Sequence, residues 1–176
     1  MTLGWRLWGI TKGTALPRLW TAPGAAPIFA RTTRPAGLGE PAHGFGMYQE
    51  CTRSIRISVE PFYVDEQSSP DQGRFVFGYR VQIDNQGAET VQLISRHWRI
   101  TDSLGRTMEV RGPGVVGKQP VLKPGERFEY TSGTPLTTSS GIMVGSYQMV
   151  TTGGEHFEVT IPAFSLDAPG SVPRLN

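Results

Sequence analysis

The residues most suggestive of chemistry lie in one short run, Arg111-Gly112-Pro113-Gly114-Val115-Val116-Gly117-Lys118. Gly112, Gly114 and Gly117 carry the G-x-G-x-x-G spacing of dinucleotide-binding loops, and Gly112 with Gly117-Lys118 nearly completes a phosphate-binding P-loop. Both chemistries need a strand before the loop and a helix after it, so that backbone amides and a helix N-terminus face phosphate. Here Gln119-Pro120-Val121-Leu122-Lys123-Pro124-Gly125 follows, which cannot sustain a helix. Gln119 stands where a P-loop has its magnesium-binding hydroxyl, and no acidic residue lies at the ribose-binding distance of about 20 residues. The run therefore reads as a structural turn. A weaker reading is an anion-binding nest, in which successive amides with Arg111 and Lys118 hold phosphate or pyrophosphate.

Other reactive residue types are scattered. His43, His97 and His156 show no metal-ligand spacing. His156 and Glu158 share a strand face beside Glu155, but two or three such ligands make no selective site. Ser132, Ser139 and Ser140 sit in a Ser/Thr-rich stretch with no Gly-x-Ser-x-Gly elbow and no patterned His or Asp to activate them. The lone Cys51 excludes an intrachain disulfide and a multi-cysteine zinc site, and an unpaired thiol fits a reducing compartment. In Arg96-His97-Trp98-Arg99, an inward Trp98 turns His97 and Arg99 outward as a recognition face. The same parity leaves Arg96 facing the core, where it demands a carboxylate or carbonyl partner, or a bulge.

The elements that would position these residues are strands. Ile55, Ile57 and Val59 alternate with Arg56, Ser58 and Glu60, and Pro61 with the polar run 65–70 predicts a loop. Phe75–Asp84 is the longest clean alternation, followed by turn residues at Asn85-Gln86-Gly87. Thr90–Thr101 is a third strand whose phase slips near Ile94–Ser95, as a bulge would make it. Asp102–Gly105 predicts a hairpin into a strand at 106–111, and Gly112–Pro120 a glycine loop. Pro124-Gly125 suits a type II turn before a strand at Phe128–Tyr130. Thr131–Ser140 reads as a second loop, with Thr131, Ser132 and Thr134 as its binding candidates. Strands at about 142–150 and 156–164 flank a hairpin turn at Thr151–Gly154. Seven or eight short antiparallel strands with almost no helix pattern predict an all-β fold, a β-sandwich of immunoglobulin or fibronectin type III kind.

Composition agrees. The chain has 176 residues, 38% hydrophobic and 18% charged, with 22 Gly and 14 Pro. A core is within reach, and the turn content disfavours a helical bundle. A net charge of +2 signals no nucleic-acid partner. No apolar run approaches the roughly 20 residues of a membrane-spanning helix, so this reading excludes an efflux pump. The charge is uneven: residues 1–46 carry Arg6, Lys12, Arg18, Arg31 and Arg34 against Glu40 alone, and the rest of the chain is net negative. Pro17, Pro23 and Pro27 interrupt any helix there. Three readings stay open: a targeting presequence, which in a eukaryote would be mitochondrial; a disordered partner-binding tail; and an over-extended start with Met47 as the working initiator. Each leaves 1–46 outside the fold, with the domain at 47–170 and a tail at 171–176.

Several blocks then resemble a known family. Gly112-Pro-Gly-Val-Val-Gly117, Leu122-Lys-Pro-Gly-Glu126, Tyr130-Thr-Ser-Gly-Thr-Pro-Leu136 and Gly141-Ile-Met-Val-Gly-Ser-Tyr-Gln-Met149 are similar to the ApaG family, as is Arg96-His97-Trp98 before Ile100-Thr101-Asp102. The resemblance covers about 50–168. It implies a fibronectin type III-like sandwich, a bacterial label of cobalt and magnesium efflux, and, from related eukaryotic domains, a protein-interaction role. The expectation is a cytoplasmic, non-enzymatic binding module without cofactor or metal. Its partner is another protein, bound through Arg111, Gly112, Gly114, Gly117 and Lys118, through Thr131, Ser132 and Thr134, or through His97 and Arg99. The alternative is a regulator that takes phosphate, pyrophosphate or a divalent ion at Gly112–Lys118.

Overall fold

The computed structural model of the chain describes residues 46–171 together with a two-residue strand at Ile28–Phe29. Ten strands follow in order: β1 (Ile28–Phe29), β2 (Tyr48–Thr52), β3 (Ile55–Tyr63), β4 (Phe75–Asn85), β5 (Val91–Asp102), β6 (Thr107–Pro113), β7 (Val121–Leu122), β8 (Arg127–Leu136), β9 (Ser140–Thr151) and β10 (His156–Asp167). Two short 3₁₀ turns fill the β3–β4 connection. One sheet has the order β1-β8-β4-β3-β2; the other has β10-β9-β5-β6, with β7 alongside β5. All pairings are antiparallel. The expected all-β sandwich is therefore the fold.

The inward faces follow from the period of two. Ile55, Ile57 and Val59 of β3, Phe77, Tyr79, Val81 and Ile83 of β4, and Leu93, Trp98 and Ile100 of β5 are almost fully buried. Trp98 packs its ring on Tyr79, Tyr147 and Phe164, with centroids 5.4, 6.3 and 6.0 Å away. Gly145 makes that possible, since a Cβ there would meet the Trp98 ring at 2.6 Å and the His97 carbonyl at 2.5 Å. The phase slip in β5 is a bulge: Leu93 pairs with Met149 and Ser95 with Gln148, leaving Ile94 over. Pro124 and Gly125 occupy the centre of a turn closed by Glu126 N–H to the Lys123 carbonyl, with Gly125 at φ +79°.

Four expectations need correction. Pro61 does not end its strand: β3 runs on to Tyr63, because β2 pairs no further than Val59 and the proline meets no ladder partner on that side. The first strand of the domain is not the one at Ile55–Glu60: Cys51 lies in an earlier one, β2, which joins β3 through Arg53 and Ser54, both at positive φ. Such a two-residue turn usually carries Asn or Gly, so Arg-Ser gives no signal. Thr131–Ser140 is not a loop, for β8 continues to Leu136 and only 137–139 connect it to β9. Finally, Gly112 and Pro113 belong to β6, which shortens the glycine loop to 114–120. With β1 and β2 added, the strand count rises from seven or eight to ten. The reading of 1–46 as outside the fold lies beyond the described residues except at β1, where Ile28 and Phe29 pair with Ser132 and Thr131. The proposed tail is described only at Ser171.

Candidate functional site

The glycine run is a tight turn whose amides are largely in use. Val115 and Lys118 bond each other twice through their backbones, at 2.8 and 2.9 Å, around Val116 (φ +46°) and Gly117 (φ +74°). Gly114 N–H donates to the Ile94 carbonyl at 2.8 Å, so the N–H groups of Gly114, Val115 and Lys118 are all taken up within the protein. The N–H groups of Val116 and Gly117 have no partner among the described residues. Val115 is fully buried and plugs this end of the core. Gly114 is required sterically: at φ +57°, a Cβ would stand 2.1 Å from the Lys118 carbonyl oxygen. Strand β6 precedes the turn but no helix follows it among the described residues, so the loop lacks the helix that a nucleotide-binding unit needs.

Arg96 explains the loop's first half. Its Nη1 donates to the carbonyls of Pro113 (3.1 Å) and Gly114 (2.7 Å), the carbonyl partnership that an inward Arg demands. The guanidinium lies against Gly112, where an added Cβ would make a tight contact with it at 3.3–3.5 Å. Arg96 closes a polar seam inside the sandwich. The hydroxyls of Tyr130 and Tyr147 hydrogen-bond at 2.5 Å, and Tyr79 bonds Ser132. Burial pushes the Tyr79 phenol up to about 12 and raises the Tyr130 and Tyr147 phenols as well, so all three remain neutral. This seam was invisible in sequence because its members come from four strands.

Ser132 and Thr134, expected on a loop, are buried side chains on the inner face of β8, and Thr131 is half-buried on its outer face. They do not join the glycine turn in one loop cluster. His97 and Arg99 do point outward, and adjacent strands bring further residues beside them. His97 lies opposite Arg111 and Arg99 opposite Glu109 on β6; Ser146 and Val144 flank them on β9. Glu109 binds His97 at 3.2 Å and Arg111 at 3.1 Å. The hydrogen bond from Arg111, then that from His97, holds its carboxyl below the usual range. Arg99 is exposed and makes no ion pair among the described residues. Ile142, opposite Thr101, leaves 55% of its surface in solvent on the same outer face. Neither Ile142 nor Val144 was singled out in sequence, because both parities of this strand are apolar and only the burial of Met143 shows that these two face outward.

The remaining candidates disperse. Glu155 forms a bidentate pair with Arg53 (2.7 and 3.0 Å), Glu158 accepts from Ser146 and Gln148, and His156 stands exposed at the start of β10. Among the described residues no three His, Cys, Asp or Glu side chains converge. No helix among them is long and apolar enough to cross a membrane.

The geometry can be set beside known proteins. The model of a family described as "ApaG domain" matches residues 65–151. Protein ApaG of Rhodospirillum centenum is 65% identical over 130 residues, which is 74% of this chain and all of that relative. Protein ApaG of Parvibaculum lavamentivorans is 63% identical over 123 residues, 70% of this chain and 95% of the relative. The crystal structure of the ApaA protein from Bordetella pertussis superposes with a TM-score of 0.65 at 54% identity, covering 66% of this chain and 95% of that one. By these identities over whole relatives, the chain belongs to the ApaG family.

Proposed function

We propose that the chain is a non-enzymatic protein-interaction module whose recognition surface is the outer face of β5, β6 and β9. The observation that carries this reading is the juxtaposition of unpaired, exposed Arg99 with exposed Ile142 and half-buried Val144 on one rigid sheet. Apolar surface with an arginine beside it is the composition of an interface centre, and charged groups around it give register and selectivity. Arg99 and Arg111 exceed Glu109 by one charge on these three strands, which favours an acidic partner segment. The work is done by binding, in the cytoplasm, where an exposed single cysteine is compatible with a reducing environment. A part in cobalt and magnesium efflux would then run through the protein that this face engages. The test uses the full chain as bait: a partner recovered by wild type should be lost with Arg99→Glu and kept with Arg56→Glu, on the opposite sheet. Equal recovery by both variants would remove the surface from consideration.

A second reading keeps the glycine turn as a weak anion site, supported by the two uncommitted amides of Val116 and Gly117 beside exposed Lys118. Pyrophosphate at millimolar concentration should then raise the melting temperature of wild type but not of Lys118→Ala. No shift in wild type disposes of it.

A further inference from the structure

The edge of β8 is constructed differently from the other strand edges of the sandwich. β10 is covered along β2 and β3, with Tyr48 bonded to Ser165 at 3.0 Å and Thr160 N–H to the Thr52 hydroxyl at 3.3 Å. The β6 edge carries Glu109 and Arg111, charges of the sort that discourage strand pairing. On β8 the charges are confined to Arg127 and Glu129 at its start, and none occurs from Thr131 to Leu136. Its ladder to β4 runs from Arg127 to Leu136 without a register shift. Val76 N–H and C=O are engaged away from β8, by Ser68 and Val64, and those of Asn85 toward the β8 side, by Glu126 and Gly125. The alternation that these two ends fix turns Phe128, Tyr130, Ser132 and Thr134 toward β4. It turns the N–H and C=O groups of Glu129, Thr131 and Gly133, with the Pro135 carbonyl, to the open edge. Pro135 fits that scheme, because its missing donor would have pointed outward. Along the outer face the side chains are small from Thr131 through Gly133 to Pro135, so backbone can approach closely.

β1 lies on this edge. Phe29 stands in antiparallel register with Thr131, whose N–H and C=O face outward, and Ile28 with Ser132. Both are of residue types that favour strands. We propose that the β8 edge is a strand-docking site and that the chain's own segment at Ile28–Phe29 is its occupant, a removable cover over that ladder. The inference deepens the interaction-module reading by giving the domain a second, backbone-mediated contact surface. It rests on that reading only for its purpose; the pairing stands or falls by itself.

Amide hydrogen exchange of the full chain tests it without any partner protein, and so its outcome is separate from that of the Arg99 experiment. Phe29→Pro removes the donor opposite the Thr131 carbonyl and should speed exchange at Thr131 by at least about tenfold, the equivalent of about 1.4 kcal/mol of local protection. Thr134, bonded to β4, should stay protected, which certifies the fold. A synthetic peptide of residues 24–34 added to the Phe29→Pro chain should restore slow exchange at Thr131, and the same peptide with Phe29→Pro should not. Thr131 exchange that is equal in wild type and variant overturns the cover. Loss in the variant without rescue by the wild-type peptide overturns the docking site.

Discussion

Two stretches of similar composition, Gly112–Lys118 and Thr131–Leu136, end in opposite structural roles. Both are short and hold a glycine and a proline among mostly small residues, and each reads as a surface loop. The first is a turn that spends its amides on itself and on Ile94, and drives Val115 into the core. The second is a strand whose Ser132 and Thr134 are buried and whose every second peptide faces an edge. The difference lies in what pairs with them. β4 supplies an unbroken antiparallel partner to 131–136, including Gly78 opposite Gly133; nothing but Lys118 lies across from Val115. Small polar residues are thus compatible with either role, and a neighbouring strand decides.

Thr134→Pro should break the comparison most sharply. Its N–H points to β4 and its ring would meet a filled ladder, so a loss of about 3 kcal/mol or more is expected in chemical denaturation. A variant as stable as wild type would return 131–136 to a loop. Gly114→Ala comes next, at about 2–3 kcal/mol, since the new methyl meets the Lys118 carbonyl, a backbone atom that cannot swing aside. Gly117→Ala has open space around it and only its positive φ to oppose it, so about 1 kcal/mol is expected. Similar costs at the two glycines would show that the turn is not held as described.

The buried seam next to β8 makes a pH prediction. The Tyr79, Tyr130 and Tyr147 phenols have folded values above the ordinary phenol value of about 10, so their contribution is complete below about pH 10 and is lost as pH rises from there toward the folded values. Phenolate absorbance from these three should therefore appear only together with unfolding; ionisation in a folded chain at pH 10–11 would contradict it. Glu109 has the reverse sign. Its depressed carboxyl stabilises above its ordinary 4.5, and that contribution is lost as pH falls through the lower folded value. The smallest effect is expected for Arg111→Glu with Lys118→Glu, both exposed, whose melting temperature should stay within a few degrees of wild type.

Local stereochemistry made much of this protein legible from its residues alone. The inward parity of Trp98 and Ile100, the bulge near Ile94, the Pro124-Gly125 turn and the Thr151–Gly154 hairpin all follow from side-chain alternation and permitted φ. So does the partner that Arg96 required. For the candidate site the sequence could place His97 and Arg99 on one outward face, because parity is a property of a single strand. It could not place Glu109, Arg111, Ile142 and Val144 beside them, because that depends on the registers of β5 with β6 and β9, which are set by long-range pairing. The same limit hid β2, whose Arg53-Ser54 turn is held at positive φ by its strands, and the continuation of β3 through Pro61. Which peptide groups of β8 face an edge was likewise decided only by tertiary structure. A residue's type constrains its own backbone and the side it faces; which strand lies next to it, and therefore whether its N–H is paired, buried or offered to another chain, depends on the whole sheet.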